Sequence, residues 1–322
     1  MRGGRRLHDG VAFLRERKGA VMATTRDFTK RKVRPAEALV ETVLFLAAAA
    51  SILITIAILY VLLEGSFAFF KDVPFTTFIT DTQWTPLFEN PRYGIAPLLC
   101  GTLLSTLVAL TLAVPVGIMV SIYLSEFAGP RARETIKPIL ELLAGVPTVI
   151  FGYFALLFVT PLLQRVIPDL PSFNILSAGL VIGILIIPYI ASVSEDAMRA
   201  VPNSLREGAF AMGATRLETA FGVVAPAAVS GIAGAFVLGM SRAVGETMVV
   251  AIAGGQQPNL TLDPTQPAAT ITAYIAQVAK GDLPHKTLEY YSIYAAGLAL
   301  LALTLVFNLI AFWLNRKYRE AY

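Results

Sequence analysis

The sequence predicts an all-α integral membrane protein with six transmembrane helices. Its 322 residues are 56% hydrophobic and only 15% charged, and the mean hydropathy is +0.66. Soluble domains are closer to half apolar and a quarter charged. The charged residues are also clustered, so long stretches between them are apolar. Composition and charge spacing together exclude an ordinary soluble domain.

Six apolar windows are long enough to cross a bilayer core, which requires about 20 residues in a helix. The expected spans are residues 42–63, 98–125, 142–164, 170–194, 226–253 and 290–315. Pro115 and Pro188 fall inside the second and fourth of them. Because backbone groups freed in lipid need protein or water partners, these prolines predict kinks that face the bundle.

The distribution of Lys and Arg predicts the topology of the chain. With the N-terminus inside, the cytoplasmic segments carry 20 of these residues and the outer segments carry 6. Cytoplasmic loops are the ones that accumulate positive charge, so both termini are expected in the cytoplasm. The expected division is a basic tail at 1–40, a membrane domain at 41–318 and a short C-terminal segment at 319–322. The first apolar run is already a full span, so no cleaved signal peptide is expected.

The two long outer connections, residues 64–97 and 255–289, are rich in Pro, Thr, Asp and aromatic residues. They predict ordered caps, with a short helix near 268–279. No catalytic or metal-binding constellation is visible, since His8 and His285 are isolated. No cofactor is expected, and the single cysteine excludes an intramolecular disulfide.

The connection at 195–218 reads EDAMRAVPNSLREGAFAMGATRLE and has more local structure than a plain loop. Ser204 followed by Glu207 has the spacing of a capping box, which predicts a helix over 205–212. Gly213 suits the left-handed position that ends such a helix.

A second capping box, Thr215 with Glu218, predicts that a new helix begins directly afterwards. The result is a helix–Gly–helix elbow between the fourth and fifth spans. From the residues alone, an amphipathic segment on the membrane surface and a docking element remain equally open.

The segment EGAFAMGATRLETAFGVVAP resembles the EAA loop of ABC-importer permeases. Glu207, Ala209, Gly213 and Pro226 match the pattern, whereas Gly208 replaces the consensus Ala. The resemblance implies that the elbow docks into a groove of a cytoplasmic ATPase. It therefore implies that residues 207, 208, 209 and 213 couple the chain to ATP hydrolysis.

A narrower resemblance covers about residues 60–318. The stretches YGIAPLLCGTLLSTLVALTLAVPVGIMVSIYLSEFA, LELLAGVPTVIFGYF and LGMSRAVGETMVVAIAGG are similar to the PstC family, the permease subunits of phosphate ABC importers. This similarity implies a six-helix bundle of the MetI-like ABC-importer type in a bacterial or archaeal cytoplasmic membrane.

The same resemblance implies the partners. They are a PstA-like permease that completes a heterodimer, two PstB-like ATPases below it and a phosphate-binding protein on the outer face. The chain itself contains no GxxxxGK[ST] phosphate-binding loop. ATP hydrolysis is therefore assigned to the partner, and the chain is expected not to be an enzyme.

Arg242 and Glu246 are the two ionisable residues within the fifth apolar window. If the span starts at Ala227, Arg242 lies about 22 Å along the helix axis, in the outer half of the bilayer. Glu246 follows one turn later on the same face. An unpaired charge facing lipid costs at least about 2.5 kcal/mol, so both side chains are expected to face a subunit interface or a watery cavity.

Two interpretations of this pair remain open. In the first, the two charges pair with each other or with a neighbouring helix and fix packing only. In the second, Arg242 donates to a phosphate oxyanion while Glu246 holds the guanidinium, which is a role that the resembled family associates with this motif. Ser241 and Thr247 flank the pair and offer hydroxyl groups to the same path, although helix packing is the simpler role for both.

Other functions are also compatible with parts of the sequence. A permease for another oxyanion, such as sulfate or molybdate, would share the EAA loop. An ion-coupled secondary transporter would usually show internal repeats, and none is visible in the sequence. An integral membrane enzyme would need a nucleophile–base or metal constellation that the sequence does not offer.

Overall fold

The computed structural model describes residues 35–281, 284 and 287–317. Within these residues the chain is helical, and its only β-type pairing is an isolated bridge between Trp84 and Tyr93. Two units are distinguished, residues 1–59 and 60–322, and the second contains the bundle and the candidate site. The predictions for the basic tail before residue 35, for both histidines and for 318–322 lie outside the described residues.

The chain forms helices of very different lengths. They are α1 (Pro35–Asp72), α2 (Phe75–Thr80), α3 (Ala96–Ile122), α4 (Pro130–Ala144), α5 (Thr148–Phe154), α6 (Thr160–Gln164), α7 (Ile175–Arg199), α8 (Asn203–Ala211), α9 (Arg216–Thr219), α10 (Ala225–Ala227), α11 (Val229–Val244), α12 (Ile271–Ala279) and α13 (Leu288–Lys317). Short π-helical turns occupy Tyr123–Phe127, Ala155–Val159, Ala220–Val224 and Val250–Gly254.

Among the described residues, four helices are long and apolar enough to cross a membrane. These segments are Leu39–Asp72, Ala96–Phe127, Ile175–Arg199 and Leu288–Trp313. Two bent helix pairs meet the same criteria when each pair is counted as one crossing, which raises the number to six. The chain is therefore a multi-pass membrane protein.

The centre of the bundle is α7, which packs along α3 for most of its length and also contacts α11. Its buried residues include Ile182, Leu185 and Ile186 and surround the helix, as expected for a helix in the interior. A Cβ at Gly183 would lie 2.8 Å from the carbonyl oxygen of Ala109 in α3. Small residues on α7 therefore let the two backbones approach closely.

Two expected spans are not straight helices. Within 142–164, the axis bends by 87° between α4 and α5, at the sequence Gly-Val-Pro. Pro147 lacks an N–H and disfavours the helical conformation of the residue before it, so α4 cannot continue through this point. Within 226–253, the axis bends by 73° at Ala228. The first expected span, 42–63, is conversely only the middle of the longer helix α1.

Residues 73–95 and 255–279 together form a compact structure at one end of the bundle, which we call the cap. Its aromatic core places Trp84 edge-on to Tyr274, with ring centroids 5.1 Å apart, and burial raises the pKa of Tyr274. The helix expected at 268–279 is α12, which begins three residues later than expected. The Thr270 hydroxyl oxygen accepts a hydrogen bond from the N–H of Ala273 and so caps α12.

Candidate functional site: an exposed elbow and a polar helix break

The elbow consists of residues 203–219 and follows α7 along the chain. Gly213 has φ of +87°, which confirms the left-handed position expected between the two helices. The second capping box is also confirmed. The N–H of Thr215 donates to Glu218 Oε2 at 2.7 Å, and the N–H of Glu218 donates to Thr215 Oγ1 at 3.3 Å.

The prediction of a first capping box between Ser204 and Glu207 is wrong. Helix α8 begins at Asn203, one residue before the expected cap, and its N-terminus has no side-chain hydrogen bond. Pro202 precedes the helix in an extended conformation, so the first turn already includes Ser204. A hydroxyl within the first turn is no longer placed to act as the cap.

The tip of the elbow is exposed and apolar. Glu207, Gly208 and Gly213 are exposed, and Ala209 is partly buried. Large apolar side chains surround them, and Met212 has 88% of its surface exposed. The others are Leu205, Phe210, Leu217 and Phe221. A concentration of exposed apolar side chains of this kind indicates a surface for another protein or for lipid.

The two glycines of the elbow provide a matched pair of substitutions. We expect Gly213→Ala to destabilise the elbow by about 1 kcal/mol, because an L side chain is strained at positive φ. Gly208→Ala should instead stabilise α8 by up to about 1 kcal/mol, because Ala is the better helix former. A Cβ has open space at both positions, so packing does not confound the comparison. Hydrogen exchange of residues 203–219 measures the effect; equal protection in the two variants would contradict it.

The second part of the site is a break in the helix that contains Arg242. Helix α11 ends at Val244, and helical structure resumes only at Met248. Glu246 is buried at this break, and its Oε1 accepts hydrogen bonds from the N–H groups of Met248 at 3.1 Å and Val249 at 3.3 Å. Its carboxylate therefore caps the helical segment that follows.

The expectation that Arg242 and Glu246 share one face of a continuous helix is consequently wrong. Gly245 is a poor helix former at the end of α11, and the Glu246 side chain offers its own hydrogen bonds to the next turn. The break is also tied to the cap, because Thr272 Oγ1 donates to the carbonyl oxygen of Glu246 at 2.8 Å. Together with the bond from the Glu246 N–H to the carbonyl oxygen of Ala243 at 3.2 Å, four hydrogen bonds hold Glu246 in place.

Arg242 lies in the last turn of α11, and its guanidinium stacks on Tyr189 of α7 at 4.5 Å from the ring centroid. Cation–π contacts of this kind contribute about 0.5–2 kcal/mol and orient the guanidinium plane. In the part of the chain that the structure describes, no carboxylate forms an ion pair with Arg242, and its Nε is buried without a hydrogen-bond partner. The direct pairing with Glu246 that the sequence suggested is therefore not formed.

The other predicted path residues lie in the same short segment. Ser241 and Thr247 are both partly buried, and Thr247 Oγ1 donates to the carbonyl oxygen of Gly245 at 3.2 Å. The break thus places a planar guanidinium beside a helix N-terminus that the Glu246 carboxylate already occupies. The guanidinium of Arg242 is therefore the group at the break whose donors match an oxyanion.

Sequence reasoning did not identify Tyr189 or Thr272 as parts of the site. Both are distant from the break along the chain, and no local spacing connects them to it. Among residues 35–281, 284 and 287–317, no group of three or more His, Cys, Asp or Glu residues could hold a metal ion.

Comparison with known proteins identifies the family. Residues 113–320 match the family described as "Binding-protein-dependent transport system inner membrane component". The chain is 33% identical to a probable ABC transporter permease protein, YqgH, of Bacillus subtilis, covering 74% of this chain and 77% of that protein. It is 34% identical to the phosphate transport system permease protein PstC of Xylella fastidiosa, covering 73% of this chain and 75% of that protein.

The fold is similar to that of a solved bacterial ABC transporter involved in import of the acidic polysaccharide alginate. The TM-score is 0.61 at 19% identity, covering 88% of this chain and 99% of that chain. The relatives are permease subunits, which are non-enzymatic membrane components, so this chain has a transport role. The all-α fold of the MetI-like ABC-importer type is confirmed, and the chain belongs to the binding-protein-dependent transport system inner membrane components and, within them, to the PstC permeases.

Proposed function

We propose that this chain is one half of the membrane core of an ATP-driven phosphate importer. A PstA-like permease would complete the heterodimer, and two PstB-like ATPases and a phosphate-binding protein would act from opposite sides of the membrane. The similarity to relatives named as phosphate transport permeases supports phosphate as the substrate. Sulfate or molybdate is the alternative substrate class.

The elbow would face the cytoplasm, together with both termini. The excess of Lys and Arg in the segments on that side supports this orientation. ATP binding at the partner would displace the exposed apolar tip of the elbow, and the bundle would then alternate its access to the two sides. The cap would lie on the outer face, where a binding protein delivers the substrate.

Arg242 would contact phosphate on its way through the membrane. The observation that carries this proposal is that its guanidinium is oriented by Tyr189 but has no carboxylate partner among the described residues. Its planar donors match the oxygens of phosphate. Glu246 would act indirectly, because it fixes the shape of the break that presents Arg242.

Uptake of labelled phosphate tests the substrate. Cells that lack their own importer would express this chain with its companion permease, ATPase and binding protein. We expect saturable uptake that depends on ATP and that excess sulfate or molybdate does not reduce. If sulfate or molybdate abolished the uptake, or were transported instead of phosphate, the assignment of phosphate as the substrate would be wrong. The assignment to the ABC importers would be unaffected.

Crosslinking tests the docking of the elbow. In an otherwise cysteine-free chain, Ala209→Cys should form a crosslink with the ATPase in the assembled complex. Leu262→Cys is the matched control, since Leu262 is 82% exposed but lies in the cap. Absence of a product from the elbow, or equal products from both positions, would count against ATPase docking at residues 207–213.

A further inference from the structure

Arg206 of α8 connects the N-terminal side of the elbow to the bundle. Its guanidinium donates to both carboxylate oxygens of Glu126, at 3.1 Å from Nε and 2.9 Å from Nη2. It also donates to the carbonyl oxygens of Val201 at 2.7 Å and Met198 at 2.8 Å, at the end of α7. One side chain thus connects α8 to the ends of both α3 and α7.

This ion pair is unlike an ordinary surface pair. The side chains of Arg206 and Glu126 are only 14% and 9% exposed. The pair between Arg92 and Asp81 in the cap involves a single contact of 3.3 Å, and its arginine is 61% exposed although Asp81 is only 11% exposed. A two-point contact between a guanidinium and a carboxylate fixes orientation as well as distance, which a single exposed contact does not.

Arg206 joins α8 to the turn that ends α3. Helix α8 has no buried residue, so it is not anchored by a packed apolar face. The other end of the elbow is anchored by the buried residues Thr219 and Ala220. Displacement of α8 can pass to the π-helical turn at Tyr123–Phe127 through the two contacts between Arg206 and Glu126.

Glu126 lies in the π-helical turn Tyr123–Phe127 that ends α3. This turn is held from the other side by Arg133 of α4, whose Nη2 donates to the carbonyl oxygen of Ser125 at 3.2 Å. Arg133 Nε also lies 3.5 Å from the buried Glu195 carboxylate of α7. Because π-helical turns break the regular register of a helix, they often occur at functional positions, and this one lies between two arginines from different helices.

We infer that Arg206 and Glu126 form a positioning pair that transmits displacement of the elbow to α3. The inference rests on the proposed function, in which an ATPase docks at the tip of the elbow. Neither residue contacts the substrate. The pair couples movement of α8 to movement of the π-helical turn, so that ATP hydrolysis is accompanied by transport.

The test uses the complete complex in proteoliposomes, with binding protein outside and ATP inside. Four forms of this chain are compared, namely the native chain, Arg206→Gln, the double variant Arg206→Gln with Glu126→Gln, and the control Arg92→Gln. The double variant removes both charges, so no carboxylate is left buried without its partner. The readouts are assembly of the complex, ATP hydrolysed and phosphate transported per ATP.

We expect the double variant to assemble and hydrolyse ATP, while phosphate transported per ATP falls by about fivefold or more, which is the usual size of coupling between distant sites. Arg92→Gln should retain the native ratio. If the pair only stabilised the fold, Arg206→Gln would lower phosphate transported per ATP, because it leaves the Glu126 carboxylate without its partner. The double variant, in which both charges are removed, would then return to the native ratio. A native ratio in the double variant, or failure of the double variant to assemble while Arg92→Gln assembles, would overturn the inference. Failure of the native chain to recruit an ATPase would instead overturn the proposed function.

Discussion

Arg242→Gln is expected to reduce phosphate uptake by about 10- to 100-fold, which corresponds to the loss of one hydrogen-bonded charge of about 1.5–3 kcal/mol. Glutamine keeps part of the side-chain length but has neither the charge nor the paired donors of the guanidinium. Because no described carboxylate forms an ion pair with Arg242, its removal should not leave a buried acid unpaired. The variant should therefore reach the membrane in normal amounts.

Arg242→Lys separates charge from geometry. Lysine keeps the positive charge but is a compact point donor that cannot make the same bidentate contact. Uptake by this variant should lie between those of the native chain and Arg242→Gln. Initial rates of labelled phosphate uptake, normalised to the amount of assembled complex, provide the measurement. Native uptake by Arg242→Gln at a normal protein level would remove this residue from the transport path.

The largest effect on stability is expected for Glu195→Ala. The Glu195 carboxylate is completely buried, and Lys137 Nζ donates to it at 2.8 Å while Arg133 Nε lies 3.5 Å away. The cations left behind, Arg133, Lys137 and Arg199, are 22–51% exposed, so no charge remains fully buried. We expect a loss of about 1.5–3 kcal/mol, the usual contribution of a hydrogen bond to a charged group, and Lys137 retains a second carboxylate. That second contact is Asp196 Oδ1, at 2.8 Å from Lys137 Nζ.

Asp196→Ala is the matched control for this substitution. It removes a carboxylate from the same lysine at the same distance, but the Asp196 side chain is 64% exposed. Exposed ion pairs contribute at most about 1 kcal/mol, so the unfolding transition should shift little. Thermal or denaturant unfolding in detergent measures both variants. Equal shifts would show that burial of Glu195 does not set the strength of this network.

The sequence predicts the number and approximate positions of the apolar segments because length and hydropathy decide whether a segment can lie in a membrane. The sequence predicts the bends within these segments less accurately than their positions. The third expected span contains the helix-breaking sequence Gly-Val-Pro at 145–147. A continuous span was nevertheless expected, because the residues around this sequence are uncharged and apolar. The bend at Ala228 follows Pro226 by two residues, and this proline indicated only where the fifth span begins.

The candidate site is predictable only in part, for a similar reason. Arg242 and Glu246 stand out because charges in an apolar window are rare, but their spacing of four suggested a continuous helix. The Gly-Glu-Thr sequence that follows Val244 is the local signal of the break, and it becomes clear only once the Glu246 carboxylate is seen to cap the next segment. The pair of Arg206 and Glu126 joins residues 80 positions apart, so no local pattern could identify it.

The most direct test of this account is ATP-dependent accumulation of phosphate by the purified complex in proteoliposomes. Binding protein and labelled phosphate are supplied outside, and ATP is enclosed within. We predict accumulation against a gradient with ATP, none without it, and a strong loss with Arg242→Gln. Accumulation without ATP, or accumulation of sulfate or molybdate in place of phosphate, would contradict the central claim that this chain is a permease subunit of an ATP-driven phosphate importer.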